Sequence, residues 1–369
     1  MVRPAILMPG LFPSLRLLPL AMLLASGCSG PATPPTPSDP AHLVAPPAGQ
    51  GLHLRTDAFP VPAGTELQSC YFFKVSDLAS AAGFDPAQPV NVHRVEIVQK
   101  PGSHHMNLFR VRTIVPGGLD PANGAVQSGT NGKGPCFVSS NWADWPLIAN
   151  YQGAGADDWS YPDGVANQLD PSETLMLQTH YVNATTQGTP DGVGQVAINL
   201  WTIPSAQVKA QIGTLFATNQ NINICQGNPT PSFAASFNFN SPNPVTIIGA
   251  NGHFHSRGTE FDIYAWDGTS TVQPDASARF YQSKTWDEPP MLHSPALERT
   301  VPANGGIWYT CDYKWQPPTV SGGCTTLNSF EQAHPVPMQS VQQDCCYRFG
   351  PQVDANEHCN AFVYYYPKQ

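Results

Sequence analysis

Seven segments of alternating apolar and polar positions punctuate the chain: VHRVEIV (92–98), MNLFRVRTIV (106–115), TLMLQTHYV (174–182), VGQVAINLW (193–201), TIIGANGHFH (246–255), EFDIYAW (260–266) and NAFVYYY (360–366). Successive residues of a strand face opposite sides, so this period-two pattern, rich in β-branched and aromatic residues, predicts strands. Gly, Pro and Asn separate the segments, and no window carries a helical stripe longer than three turns. The chain therefore reads as almost all β, built of sandwiches with irregular loops. Residues 113–170 read as long Gly/Trp/Pro-rich connections with little periodicity, either functional loops or disulfide-held coil. VAINLW ends one block and VKAQIGTLFA begins another after a Pro-Ser turn, which places a domain boundary near Trp201–Ala210. The expected division is 53–204 and 205–369.

Composition sharpens this picture at the N-terminus. Charged residues make up 12% of the 369, roughly half the usual share, while Gly (31) and Pro (39) are abundant, as a turn-rich β chain requires. The formal charge of -9, with no Lys/Arg stripe, argues against a nucleic-acid partner. Residues 1–27 carry Arg3 and Arg16 ahead of the apolar run LLPLAMLLA, which is short for a membrane span and reads as a signal peptide. The run ends in LLASGC, which resembles the bacterial lipobox. That resemblance implies lipidation of Cys28, with Ser29 pointing to an outer-membrane anchor facing periplasm or cell surface; the alternative is an ordinary cleaved signal. Removing the two arginines leaves a mature charge of -11. Residues 28–52, including SGPATPPTPSDPAHLVAPPAGQ, are too proline-rich and too poor in apolar residues to form a core and read as a tether.

Eight cysteines remain beyond Cys28: Cys70, Cys136, Cys225, Cys311, Cys324, Cys345, Cys346 and Cys359. An even number in an exported chain argues for up to four disulfides. None has CxxC spacing, which argues against a zinc ribbon or a thioredoxin-like redox centre.

Eleven histidines supply the candidate chemistry. His104 and His105 adjoin in KPGSHHMNLF, His180 lies in MLQTHYVN, His253 and His255 form the HxH of NGHFHSRG, and His358 lies in NEHCNAF. Residues two apart in a strand face the same way, so HFH can present two imidazoles to one ion. Adjacent histidines can share an ion only where the strand is bulged or ends. Structural, hydrogen-bonded histidines are the competing reading for each. Imidazole-only ligation suits Cu, Zn, Ni or Fe rather than Mg or Ca.

The ordered set HHM, LQTHY, HFH and EHCNAFVYYYP resembles the copper type II, ascorbate-dependent monooxygenases, the peptidylglycine hydroxylating and dopamine β-monooxygenase family, from about Leu67 to Tyr366. The resemblance implies two tandem β-sandwich (jelly-roll-like) domains facing across a solvent-filled cleft, with two copper ions and ascorbate or a similar reductant. His104, His105 and His180 would hold an electron-accepting copper. His253 and His255 would hold the oxygen-binding copper, with His358 where the family has methionine; Met291 and Met338 are alternative thioethers. Gln178 matches a glutamine placed between the metals. Asn251 and Phe362 replace the residues that grip a peptide substrate, and Arg257 is a candidate anion clamp or a solvated loop residue. Tyr181, Trp266 and Trp286 are candidates for the cleft lining. The implied activity is hydroxylation of a C–H bond in a small molecule using O2 and an external reductant; the alternative is an exported copper-binding protein with little or no such activity. The family also implies Cys70–Cys136 and Cys311–Cys359 disulfides. Cys324 would then pair with Cys345 or Cys346, and the remaining vicinal cysteine with Cys225.

Overall fold

Each of the seven alternating segments contributes a strand, but the alternation does not sort the residues into a wet and a dry face. Eight of the nine residues of Ser103–Val111, and all nine of Val245–His253, are buried. Both strands lie inside their sheets and are covered on both faces, where a strand loses its polar side. A computed structural model of the protein describes residues 39–111, 124–138, 145–319 and 345–368. The signal segment 1–27, Cys28, Cys324, His334 and Met338 lie outside the described residues.

The described residues are almost entirely strand and loop, with Val75–Ala81 the longest helix among them. Among the described residues, four sheets of four or more strands make up the body, with two two-stranded ribbons beside them, Phe59–Val61 with Gly192–Gly194 and Asn223–Cys225 with Cys346–Arg348. The first runs Gly51–Arg55, Val196–Thr202, Val90–Gln99, Val165–Leu169 and Ala210–Gln211, with Gly155–Ser160 also paired to Val90–Gln99. The second runs Val126–Thr130, Thr65–Lys74, Thr174–Asn183, Ser103–Val111 and Leu147–Tyr151. The third runs Gly213–Thr218, Asn360–Pro367, Val245–His253 and Leu292–His293, with Arg299–Val301 joined to Val245–His253. The fourth runs Ser232–Asn238, Gly306–Tyr313, Gly258–Trp266 and Arg279–Ser283. Pairing in these sheets is antiparallel except between Ala210–Gln211 and Val165–Leu169.

The expectation of two tandem sandwiches facing across a solvent-filled cleft is corrected by the way these sheets meet. The first and second sheets share one core and the third and fourth share another. The third sheet, however, also enters the first core through Ile248, Phe362 and Tyr364. Phe362 stacks on Phe216 at 4.6 Å, and Phe216 meets Phe109 of the second sheet at 6.2 Å. The Tyr364 hydroxyl donates to Asn150 Oδ1 at 2.6 Å, and Trp159 of the first sheet stacks on His293 at 4.1 Å. Apolar and aromatic surface thus fills the place assigned to an open cleft. The result is two adjoining cores joined through the third sheet within a single compact unit.

Two further expectations change. The described residues of 113–170 hold four short strands, Val126–Thr130, Leu147–Tyr151, Gly155–Ser160 and Val165–Leu169. Segments such as VQSGT and GADDWS lack an apolar pattern of their own; pairing with long neighbouring strands makes them extended. In the proposed tether, residues from Asp39 onward lie against the first sheet. Leu43 is buried with Val98 and Ala197, and Lys100 pairs with Asp39 at 3.1 Å.

Three disulfides join described cysteines: Cys70–Cys136, Cys225–Cys346 and Cys311–Cys359. Cys345 is also disulfide-bonded.

Candidate metal centre

The six histidines of the four motifs converge on one buried place. His180, in Thr174–Asn183, stands directly across from His105 in Ser103–Val111. The next pair is Tyr181 with Ser103, so His104 is the extra residue of a β-bulge. A bulge breaks the alternation of side-chain direction, and that lets adjacent histidines turn toward the same place. The His104 and His105 rings lie 5.1 Å apart, and those of His105 and His180 4.7 Å apart. From the third sheet, His253 ends its strand beside Asn360. Phe254 then anchors the turn by stacking on Phe261 at 6.0 Å, and His255 follows with its ring 5.3 Å from that of His253. His358 arrives just before the strand Asn360–Pro367, with its ring 4.3 Å from that of His255. The two halves touch here: the His104 and His253 rings are 5.0 Å apart.

Ligand atoms of His104, His105 and His180 lie within 4.8 Å of one another, as do those of His104, His253 and His255. His104 belongs to both triads. This is one buried cluster, whereas the family resemblance implied two centres separated by solvent. His104 Nε2, His105 Nδ1, both ring nitrogens of His253, His255 Nε2 and His358 Nδ1 are buried without a hydrogen-bond partner. Burial of a polar atom without a partner costs about 1–3 kcal/mol, so such a concentration of imidazole nitrogens fits a metal better than a solvated or structural role. Burial, and secondarily the neighbouring histidines, push His104, His105, His253 and His255 well below the usual imidazole range and His358 down to about 3. Neutral imidazole is the form that donates a lone pair to a metal.

Residues that the sequence motifs did not signal aim the ligands. Glu66 Oε1 accepts from His180 Nε2 at 2.7 Å and from the Val353 amide at 3.3 Å. It therefore ties the second sheet to the 351–358 loop. His255 Nδ1 donates to the Asn356 carbonyl at 3.0 Å, which directs Nε2 into the cluster. Glu357 is fully buried and accepts from the amides of His255 and Arg257, each at 2.9 Å, and from Arg257 Nη1 at 3.2 Å. Burial pushes the Glu357 carboxyl up to about 7 against the pull of Arg257. Outer-shell acceptors of this kind typically contribute 10–100-fold in metal affinity. Glu66→Gln is expected to weaken metal binding by roughly that factor, measured by competition with a chromogenic chelator; an unchanged affinity would show that Glu66 has no part in ligand placement.

The other candidates are placed as follows. Gln178 is buried and accepts from Asn107 Nδ2 at 3.0 Å; it lines a cavity together with His105, His180, His253 and His358. Arg257 is neither an anion clamp nor solvated, since it is buried against Glu357 and the Tyr347 ring. Asn251 donates to the Pro290 carbonyl, and Met291 lies against the first core. Tyr181 is a core residue bonded to the Gln195 carbonyl, Trp266 bonds the Ser270 carbonyl, and Trp286 sits 6.2 Å from the His104 ring. His53, His93 and His293 are held by Asn199, the Val165 carbonyl and Asp157.

The cavity among the histidines has a volume of about 20 Å³. That admits a water molecule or an ion. The hydroxylase reading is corrected by the arrangement of the ligands: the histidine triads overlap in one buried cluster rather than forming two centres that face across a cleft.

No protein-family model matches the chain, and no curated protein matches it. Solved structures that align with it include the VP2 subviral particle of infectious bursal disease virus, at 12% identity and a TM-score of 0.20, covering 87% of this chain and 73% of that one. PBCV-1 VP54, fitted into a reconstruction of the virophage Sputnik, aligns at 9% identity and a TM-score of 0.20, covering 86% and 94%. At such TM-scores the likeness carries no argument about fold or function. Membership of the copper monooxygenase family, and with it the identification as a copper-dependent outer-membrane lipoprotein enzyme, finds no support in these comparisons and is withdrawn. The buried histidine cluster is what characterises this chain.

Proposed function

We propose that this chain is a transition-metal-binding protein that holds its metal in the buried histidine centre. The observation that carries the reading is the pair of overlapping histidine triads, whose ring nitrogens are buried and mostly lack protein partners. An all-imidazole donor set selects late first-row ions such as zinc, copper or nickel over magnesium or calcium, which need oxygen ligands. The acceptors Glu66 and Asn356 add the second-shell pattern that orients metal-binding histidines. The disulfides support residence in an oxidising compartment outside the cytoplasm. When bound, the metal would bridge the two halves of the chain and satisfy the buried nitrogens; His104, His105, His180, His253, His255 and His358 would hold it.

The test is metal content and thermal unfolding of chelator-stripped protein before and after adding Zn(II) or Cu(II). Retained metal and a raised melting temperature are expected; saturation at a hundredfold excess over Kd corresponds to about 2.7 kcal/mol. His253→Ala combined with His255→Ala should remove much of that gain while the disulfides keep the chain folded. A wild-type protein that retains no ion and melts identically with and without metal would overturn the reading.

A further inference from the structure

Five side-chain amides, those of Gln68, Asn107, Gln152, Gln178 and Asn360, line the histidine cavity, and among the described residues no carboxylate lines it. All five are buried. Part of their hydrogen-bonding capacity is used within the protein. Gln68 Nε2 donates to the Cys136 carbonyl at 2.6 Å, Gln152 Nε2 to Asn107 Oδ1 at 3.4 Å, and Asn107 Nδ2 to Gln178 Oε1 at 3.0 Å. Gln152, Asn107 and Gln178 thus form a chain. Its two ends, Gln152 Oε1 and Gln178 Nε2, are buried without a hydrogen-bond partner among the described residues, and so is Asn360 Oδ1. Resting on the metal-binding reading above, we infer that this cavity is a built water site. One water molecule is held there by Gln152, Gln178 and Asn360 and serves as an exchangeable ligand of the bound metal.

The valences match. A water molecule has two protons to donate and two lone pairs. Gln152 Oε1 and Asn360 Oδ1 accept the two protons, Gln178 Nε2 donates to one lone pair, and the other is left for the metal. Buried waters make about three hydrogen bonds to protein, the number of open amide groups here, and need roughly 10–15 Å³ of cavity. The cavity offers about 20 Å³. Two carbonyl oxygens oppose an anion and an N–H opposes a cation, so the amides suit a neutral ligand. Gln178 also lies beside the ring of His105, which sets its free N–H next to a metal-holding residue. In zinc proteins, structural sites are closed by protein ligands, whereas reactive sites keep a water position. The amide chain gives this centre the second character.

The probe is Cu(II) with oxygen-17-labelled water. Stripped protein is loaded with Cu(II), and pulsed paramagnetic resonance reads the coupling of the copper electron to a directly bound labelled oxygen. Wild type should show a strong coupling that appears on exchange into labelled water. Gln178→Leu combined with Asn360→Leu, compared at equal copper loading and checked by circular dichroism, should lose it. Gln152→Leu breaks only the longest link of the chain and should weaken the coupling even where the double variant does not fold. Copper-loaded wild type without the coupling, or equal coupling in wild type and the variants, would overturn the water site and leave metal binding intact. Failure of wild type to hold copper would overturn both readings.

Discussion

Arg257→Leu is expected to lower stability by about 3–5 kcal/mol, the cost of breaking a buried ion pair by removing one partner. Arg257 and Glu357 are 3% and 0% exposed, respectively. Beyond the pair itself, Arg257 Nη1 reaches the Val353 carbonyl at 3.3 Å, Nη2 bonds the Asp354 carbonyl, and the guanidinium lies 3.5 Å over the Tyr347 ring. Leucine keeps apolar volume but removes these donors and leaves Glu357 charged in a dry setting. Burial already drives that carboxyl toward protonation near neutrality, so the loss should fall nearer the lower bound. Denaturant unfolding measures it. Pairing Arg257→Leu with Glu357→Gln should recover part of the loss, because the amide is neutral and its oxygen still accepts a backbone N–H. A single variant within about 0.5 kcal/mol of wild type, the range of ordinary surface changes, would show that the pair does not hold the loop.

Joint replacement of Cys311 and Cys359 by alanine is expected to cost both stability and metal affinity. The disulfide closes a loop with a sequence separation of 48, for which loop-closure entropy alone gives about 4 kcal/mol. Cys359 follows His358 directly, and the His358 carbonyl accepts from the buried Tyr313 hydroxyl. Cutting the link frees the segment that delivers both the His358 imidazole and the Glu357 carboxylate. The comparison is joint replacement of Cys225 and Cys346, which closes a separation of 121 on a ribbon. It should lower stability by a similar amount, about 5 kcal/mol in the same treatment, with metal affinity nearly unchanged. Equal effects of the two pairs on metal affinity would separate the Cys311–Cys359 link from ligand placement.

Glu66 and His104 show where sequence reading stopped. The glutamate in TELQSC sits in a strand with no local motif around it. Its role follows from a pairing register that joins Thr65–Lys74 to Thr174–Asn183, and from a contact with Val353 that is 287 residues away. The bulge at His104 is likewise a property of two strands; the motif HHM is compatible with regular and bulged pairing alike. Arg257 looked like a loop cation, and only its enclosure by Glu357 and Tyr347 reveals a buried partner. Glu357, by contrast, stood in the quoted NEHC motif, where its neighbour His358 drew the attention.

By itself, the sequence determined what local chemistry determines: which long segments are extended, that the chain is turn-rich and almost entirely β, and which histidines stand at strand ends. Period-two patterning and imidazole spacing are short-range properties, legible within ten residues. Tertiary structure alone decided that the third sheet packs into the first core as well as its own. It also decided that six histidines from both halves meet in one closed space rather than in two centres across a cleft. Those outcomes depend on which apolar faces find each other and on strand register. Many pairings satisfy the same alternation, and packing among residues hundreds of positions apart selects one of them.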